Sequence, residues 1–220
     1  MVSIIVPAYN EESTAVGLLE NLTASGADEI LLVDGGSTDR TVEIATRFAG
    51  VRVLRAPRGR AIQMNRGAAE ARGAILLFLH ADVRIGPAAI DAIRNTTAIG
   101  GNLDIRFSGD DWICRAFDFI YHWRRYTGIF YGDSGIFCRR DVFERLGGYR
   151  EWPVMEDYDF ARRLWRMGRL AYLREPIEVS DRRWRRTGLA AALWSWVVIQ
   201  GLYTLGVSPF RLARFYRDIR

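Results

Sequence analysis

A regular alternation in the first eighty residues constrains this chain more than any other feature. Short apolar runs at 2–6, 29–33, 51–54 and 74–79 alternate with longer segments whose apolar residues recur at helical spacing. A short aliphatic run bounded by turn signals suits a strand buried on both faces. The intervening segments read as helices at about 11–24, 41–49 and 60–71. The first carries Val16, Leu18, Leu19 and Leu22 on its apolar side and acidic residues in its first turn, where the helix dipole favours them. Strands alternating with helices of this length are joined by crossovers, so the expected fold is α/β, with a mostly parallel sheet covered on both faces.

In such sheets ligands sit beyond the carboxyl ends of the strands. Those ends carry Pro7-Ala8-Tyr9-Asn10-Glu11, Asp34-Gly35-Gly36-Ser37 and His80-Ala81-Asp82, which gathers Glu11, Asp34 and Asp82 at one rim. Ser37, Thr38 and Asp39 read as turn and capping residues. Beyond residue 101 the pattern changes. A strand is expected at 102–107, then an aromatic helix at 112–126 with Ile113, Phe117, Ile120 and Tyr121 on one stripe. A strand follows a glycine-rich turn within 131–138, and a short helix at 140–146 is closed by Gly147-Gly148. The last helix of this half, 156–167, has Phe160, Leu164 and Met167 as its apolar stripe. Glu156 and Asp157 stand at its N-terminus, where the dipole stabilises carboxylates. A pair followed by Asp159 is more acid than a cap needs.

Composition removes several functions. All 31 basic residues of the 220 are arginine, and the absence of lysine excludes a P-loop lysine, a kinase-type phosphate lysine and Schiff-base chemistry. His80, His122, Cys114 and Cys138 cannot assemble a His/Cys zinc site without carboxylates. The net charge is only +5, and no zinc-finger, helix-turn-helix or RNA-binding signature is present, so no nucleic-acid partner is expected. The chain opens on a strand and not on a signal peptide, which predicts a cytoplasmic protein.

Six stretches in series carry a resemblance. They are Ile4-Ile5-Val6-Pro7-Ala8-Tyr9-Asn10-Glu11-Glu12, Val33-Asp34-Gly35-Gly36-Ser37-Thr38-Asp39, and Gly59-Arg60-Ala61-Ile62-Gln63-Met64-Asn65-Arg66-Gly67-Ala68. Phe78-Leu79-His80-Ala81-Asp82, Gly135-Ile136-Phe137-Cys138-Arg139-Arg140 and Met155-Glu156-Asp157-Tyr158-Asp159-Phe160 complete them. In order and spacing the chain resembles family 2 glycosyltransferases of the GT-A fold, and in wording a small bacterial subfamily, the radical-SAM/selenodomain-associated transferase 2 group. The resemblance implies a Rossmann-like sheet, a hexosyltransferase-type activity and a uridine-linked sugar donor. It implies that Pro7, Tyr9 and Glu11 line the nucleotide pocket and that Asp34 hydrogen-bonds the base. Arg60 and Asn65 match positions near the nucleotide and diphosphate, and Gly36, Ala81 and Asp133 fall among the donor-binding positions. Asp82 matches the second acid of the family's Asp-x-Asp element, which binds Mg²⁺ or Mn²⁺, and Asp157 the catalytic base, with Glu156 beside it. Arg183-Trp184 resembles an arginine-tryptophan element near the diphosphate or acceptor.

The chain departs from the family at His80, where the first acid of that element belongs. A neutral imidazole can ligate Mn²⁺ or donate to a ribose hydroxyl, or simply pack at a strand end, but it brings no negative charge. The chemistry itself needs a cation for the leaving diphosphate and one carboxylate for the acceptor hydroxyl. One base and no covalent intermediate imply attack with inversion, with Asp157 reaching the acceptor and Glu156 orienting it or meeting an arginine. The alternatives are a nucleotide-sugar-binding protein without catalysis and a transferase to a lipid-linked acceptor at a membrane surface.

Residues 189–207 form 19 positions without a charge, flanked by arginines on both sides. A membrane span needs about 20 apolar residues, and here Ser195, Gln200, Gly201, Thr204 and Gly206 interrupt. Burial of this helical segment against the catalytic domain, or in a homo-oligomer, is the first expectation, and peripheral contact with the inner face of the plasma membrane the next. The expected division is a transferase domain at 1–186, with a nucleotide-binding half 1–100 and an acceptor half 101–186, and a C-terminal helical segment at 187–220.

Overall fold

A computed structural model describes residues 1–109, 111–128, 130–180 and 189–214. The alternation predicted for the first half is present as β1 (Val2–Ala8), α1 (Glu12–Ala24), β2 (Glu29–Asp34), α2 (Thr41–Thr46), β3 (Val51–Arg55), α3 (Arg60–Glu70) and β4 (Ile75–Phe78). Then come β5 (Val83–Ile85), α4 (Pro87–Asn95), β6 (Gly100–Phe107), α5 (Trp112–Arg124), β7 (Ile136–Arg139), α6 (Arg140–Arg145), α7 (Glu156–Met167) and β8 (Ala171–Val179). The chain continues in α8 (Leu189–Thr204) and α9 (Pro209–Leu212).

One sheet holds all eight strands in the order β3-β2-β1-β4-β7-β6-β8-β5. β1 to β4 pair in parallel, as crossover helices require. β7 runs antiparallel to both β4 and β6, β8 runs parallel to β6, and β5 runs antiparallel to β8. Only β5 and β7 therefore oppose the common direction of the sheet.

Side-chain alternation along β1 explains the layers. Val2, Ile4 and Val6 face one core with Leu18 and Leu22 of α1 and Ile90 and Ile93 of α4. Ile5 faces the other, with Met64 and Ala68 of α3, Phe143 of α6 and Phe160 and Leu164 of α7. The α3 layer lies close: a β-carbon on Gly67 would stand 2.4 Å from Ile5 Cγ2.

Three helical stripes differ at one position each from the spacing prediction. On α1, Val16 is exposed while Leu18, Leu19 and Leu22 are buried. On α5, Ile120 is 45% exposed while Phe117 and Tyr121 meet Phe107, because one residue is a 100° turn. On α7, Phe160 and Leu164 are buried but Met167, in the last turn, is exposed. The C-terminal segment packs inward: Ile199 of α8 and Leu212 of α9 are buried with Tyr131, Val154, Met155 and Tyr158. Among the described residues no helix is long and apolar enough to cross a membrane.

Candidate active site

Three groups of residues meet at the carboxyl ends of β1, β2 and β4. The first is a cleft of about 660 Å³ lined by Asp34, Gly36, Ser37, Asp39, Arg55 and Pro57 among others. Asp34 ends β2 with its side chain buried, and its carboxylate accepts from the N–H groups of Gly36 (3.1 Å) and Ser37 (3.0 Å), closing the turn beneath the cleft. Asn10 stands at φ +54°, a left-handed conformation that asparagine tolerates, and its Oδ1 accepts from Thr38 N–H at 2.9 Å. Glu11 N–H donates to Thr41 Oγ1 at 2.7 Å. The Tyr9 ring lies 4.1 Å from the Arg58 guanidinium carbon, a cation–π contact at the same rim. Pro7 is buried within β1 opposite Val33, so it shapes the strand beneath the rim.

Gln63, to which the sequence assigns no role, ties this rim together. Its Nε2 donates to Ala8 O (2.9 Å) and Val33 O (2.7 Å), which locks the ends of β1 and β2 to α3. The only sequence clue is its place inside the 59–68 motif.

The second group joins the first turns of α3 and α7. Arg60 Nε lies 2.7 Å from Glu156 Oε1, and the Glu156 side chain is 1% exposed. Burial pushes the Glu156 carboxyl above its ordinary value, Arg60 pulls it down and the neighbouring Asp157 pushes it up; the net direction is upward. Asn65 is occupied elsewhere: its Nδ2 donates to Tyr149 O and its Oδ1 accepts from Tyr149 N–H, both at 2.8 Å. Asp159, the third acid of the helix start, pairs with Arg150 (3.1 Å) and Arg163 (2.7 Å), so its role is to hold α7 in place.

The third group surrounds Gly132, in a 3₁₀ turn over Gly132–Ser134. Gly132 N–H donates to Asp157 Oδ2 at 2.8 Å. The point that a β-carbon on Gly132 would occupy is 2.5 Å from His80 Nε2 and 3.3 Å from Asp157 Oδ2. A glycine here is what lets imidazole and carboxylate face the same spot. Met155, at φ +65°, turns the chain into α7 so that Asp157 enters this corner. Asp133 is half-buried beside it, Ala81 is half-buried against the core, and Asp82 is exposed after β4. Arg183 and Trp184 lie outside the described residues.

Tyr131 connects this corner to the C-terminal segment. Its ring stacks on Tyr158 at 5.7 Å, and its hydroxyl donates to Gln200 Oε1 of α8 at 2.7 Å. Among the described residues no three His, Cys, Asp or Glu side chains form a metal-holding group. Asp82 is nevertheless a hard oxygen donor on the open side of the strand ends. A single carboxylate of this kind fits a divalent cation whose other ligands come from a phosphorylated substrate and water.

The sequence profile of glycosyl transferase family 2 matches residues 3–147. A mycobacterial PGL/p-HBAD biosynthesis glycosyltransferase (Mycobacterium bovis) is 34% identical over 180 residues, covering 73% of this chain and 68% of the relative. Among solved structures, S. aureus TarS 1-349 in complex with UDP-GlcNAc superposes with a TM-score of 0.69 at 17% identity, over 82% of this chain and 58% of that one. The mannosyltransferase PcManGT from Pyrobaculum calidifontis, in complex with GDP-Man and Mn²⁺, superposes with a TM-score of 0.70 at 21% identity, over 99% of this chain and 65% of that one. Both structural likenesses concern the fold, and this chain spans less than two thirds of either protein.

Proposed function

Because the chain belongs to glycosyl transferase family 2, we propose that it moves a sugar from a nucleotide-sugar donor, a uridine-linked one, to a hydroxyl acceptor with inversion at the anomeric carbon. The observation that carries this reading is the corner at Gly132, where a backbone N–H fixes the Asp157 carboxylate beside His80 at the strand ends. The cleft over Asp34 has the size of a nucleoside site. In this reading the base lies against Asp34, with Tyr9 and Glu11 on the same rim. Arg60 brings positive charge toward the diphosphate, and its pairing with Glu156 sets where that charge stands.

Asp82 would hold Mg²⁺ or Mn²⁺ together with the donor. When bound, such an ion offsets charge on the departing diphosphate. The remaining work falls to the chain's own groups. Asp157 accepts the proton of the acceptor hydroxyl as that oxygen attacks the anomeric carbon. The bond from that carbon to the diphosphate oxygen breaks on the opposite side, and the nucleoside diphosphate leaves with the electron pair. Gly132 N–H holds the carboxylate for this step. The inward packing of α8 on Tyr131 and Tyr158 supports a role for segment 187–220 as a wall of the acceptor side, next to the transferase unit 1–186.

Asp157→Asn tests the assignment. Turnover should fall by about 10²–10⁴-fold, the usual contribution of a positioned general base, with donor affinity by calorimetry little changed. Glu156→Gln should act more mildly. An Asp157→Asn protein that turns over normally would remove Asp157 from the mechanism.

A further inference from the structure

We propose that the outward face of α5 is a docking surface for an anionic lipid bilayer, an interaction independent of the donor chemistry. The face consists of Trp112, Phe119, Trp123 and Tyr126, which are 75%, 66%, 59% and 45% exposed. Their spacing puts them on one side of the helix and the 3₁₀ turn that extends it. The rings form a continuous strip: Phe119 and Trp123 centroids are 6.2 Å apart, and Trp123 and Tyr126 6.1 Å. The strip runs on to β8, where Tyr126 meets Tyr172 at 5.0 Å, and Trp165 of α7 stands close by, its ring 2.8 Å from where a β-carbon on Gly128 would be. Single exposed aromatics need no explanation, but a contiguous strip does.

Charge selects the occupant. The two acids of α5 and its cap are turned to the backbone: Asp111 accepts from Cys114 N–H at 2.9 Å, and Asp118 from Phe107 N–H at 3.0 Å. Exposed arginines stand next to these rings in the chain, Arg115 on α5 and Arg166 after Trp165. Tryptophan and tyrosine backed by arginine suit the headgroup region of a bilayer, where one end of each ring is apolar and the other wet. A negatively charged leaflet completes the match. The contact is peripheral, in keeping with the described helices.

The test uses the whole protein in a flotation assay. It compares vesicles of phosphatidylcholine alone with vesicles that also contain phosphatidylserine. Binding should require phosphatidylserine and weaken with added salt. Phe119→Ser with Trp123→Ser should lower the partition coefficient by about tenfold or more, since both rings are removed from the interface. Arg115→Gln should lower it about fivefold. All three positions are exposed, so the thermal midpoint should stay within a few degrees and show that the variants fold. Trp194→Ser with Val197→Ser, on the exposed side of α8, should leave partition unchanged. Three outcomes would overturn the proposal: no binding to the anionic vesicles, loss confined to the α8 variant, or a concentration-dependent dimer that the α5 variant abolishes while vesicle binding is absent.

Discussion

A β-carbon on residue 132 would crowd His80 Nε2 and Asp157 Oδ2 at once, so alanine there must displace the imidazole, the carboxylate or the turn. Gly132→Ala should lower kcat by about 10²-fold, the penalty of a displacement of about 1 Å in reacting groups, with the donor KM nearly unchanged in steady-state assays. The Arg60–Glu156 pair makes a different demand, on stability. Arg60→Ala leaves a buried carboxylate without its cation, which should cost about 2 kcal/mol once the solvent exposure of Arg60 is allowed for. Burial already raises the Glu156 carboxyl, and removing Arg60 raises it further. The folded variant then keeps a proton that the unfolded chain has released, so its stability falls as pH rises from the ordinary carboxylate range through the raised value. Urea midpoints of variant and wild type should converge in acid and separate toward neutrality.

Among the elements, the amino ends of β1, β2 and β3 are joined through one side chain. Glu29 accepts from Ser3 Oγ–H at 2.6 Å, from Arg72 N–H at 2.7 Å and from Arg52 Nη1 at 2.6 Å. Burial pushes its carboxyl up, but these three hydrogen bonds outweigh burial and hold it below the usual range. A carboxyl lowered by folding contributes stability above its unfolded value and loses it as pH falls through the folded one. Glu29→Gln should therefore cost about 2–3 kcal/mol at neutral pH, with the gap closing in acid, as followed by urea unfolding. The same network was invisible in the sequence, where Glu29 reads only as the first residue of an apolar run. β8 was hidden for a related reason: Arg174, Glu175 and Pro176 interrupt it, and the sheet absorbs them through a register shift between Asn102 and Asp104. β5 is three residues long and too short to show a period.

At the scale of the whole molecule, donor and metal should bind as one event. With Asp82 as the carboxylate aimed at the ion, Mn²⁺ should bind the free protein weakly and bind well once uridine diphosphate is present. Calorimetric titration of Mn²⁺ with and without uridine diphosphate checks this, and tight binding to the free protein would contradict it. Thermal midpoints should follow the same order, because a ligand stabilises by RT ln(1 + [L]/Kd) and each partner lowers the other's Kd. The strand-end rim comes from the parallel half of the sheet, which sends β1, β2 and β4 out in one direction.

The sequence alone carries the α/β alternation, the two-sided burial of the sheet and the placement of Glu11, Asp34 and Asp82 just beyond strand ends. These follow from side-chain period and turn chemistry, which act over a few residues and are written in local spacing. It also determined the carboxylate pair at the start of α7. Tertiary packing alone seals Glu156 against Arg60 and sets Asp157 on Gly132 N–H, at the glycine that His80 also faces. It alone decided that Asn65 serves Tyr149, that Asp159 serves two arginines, and that β5 and β7 run against the sheet. Each of those depends on groups brought together from distant parts of the chain, and no local period encodes which partner a buried polar group will find.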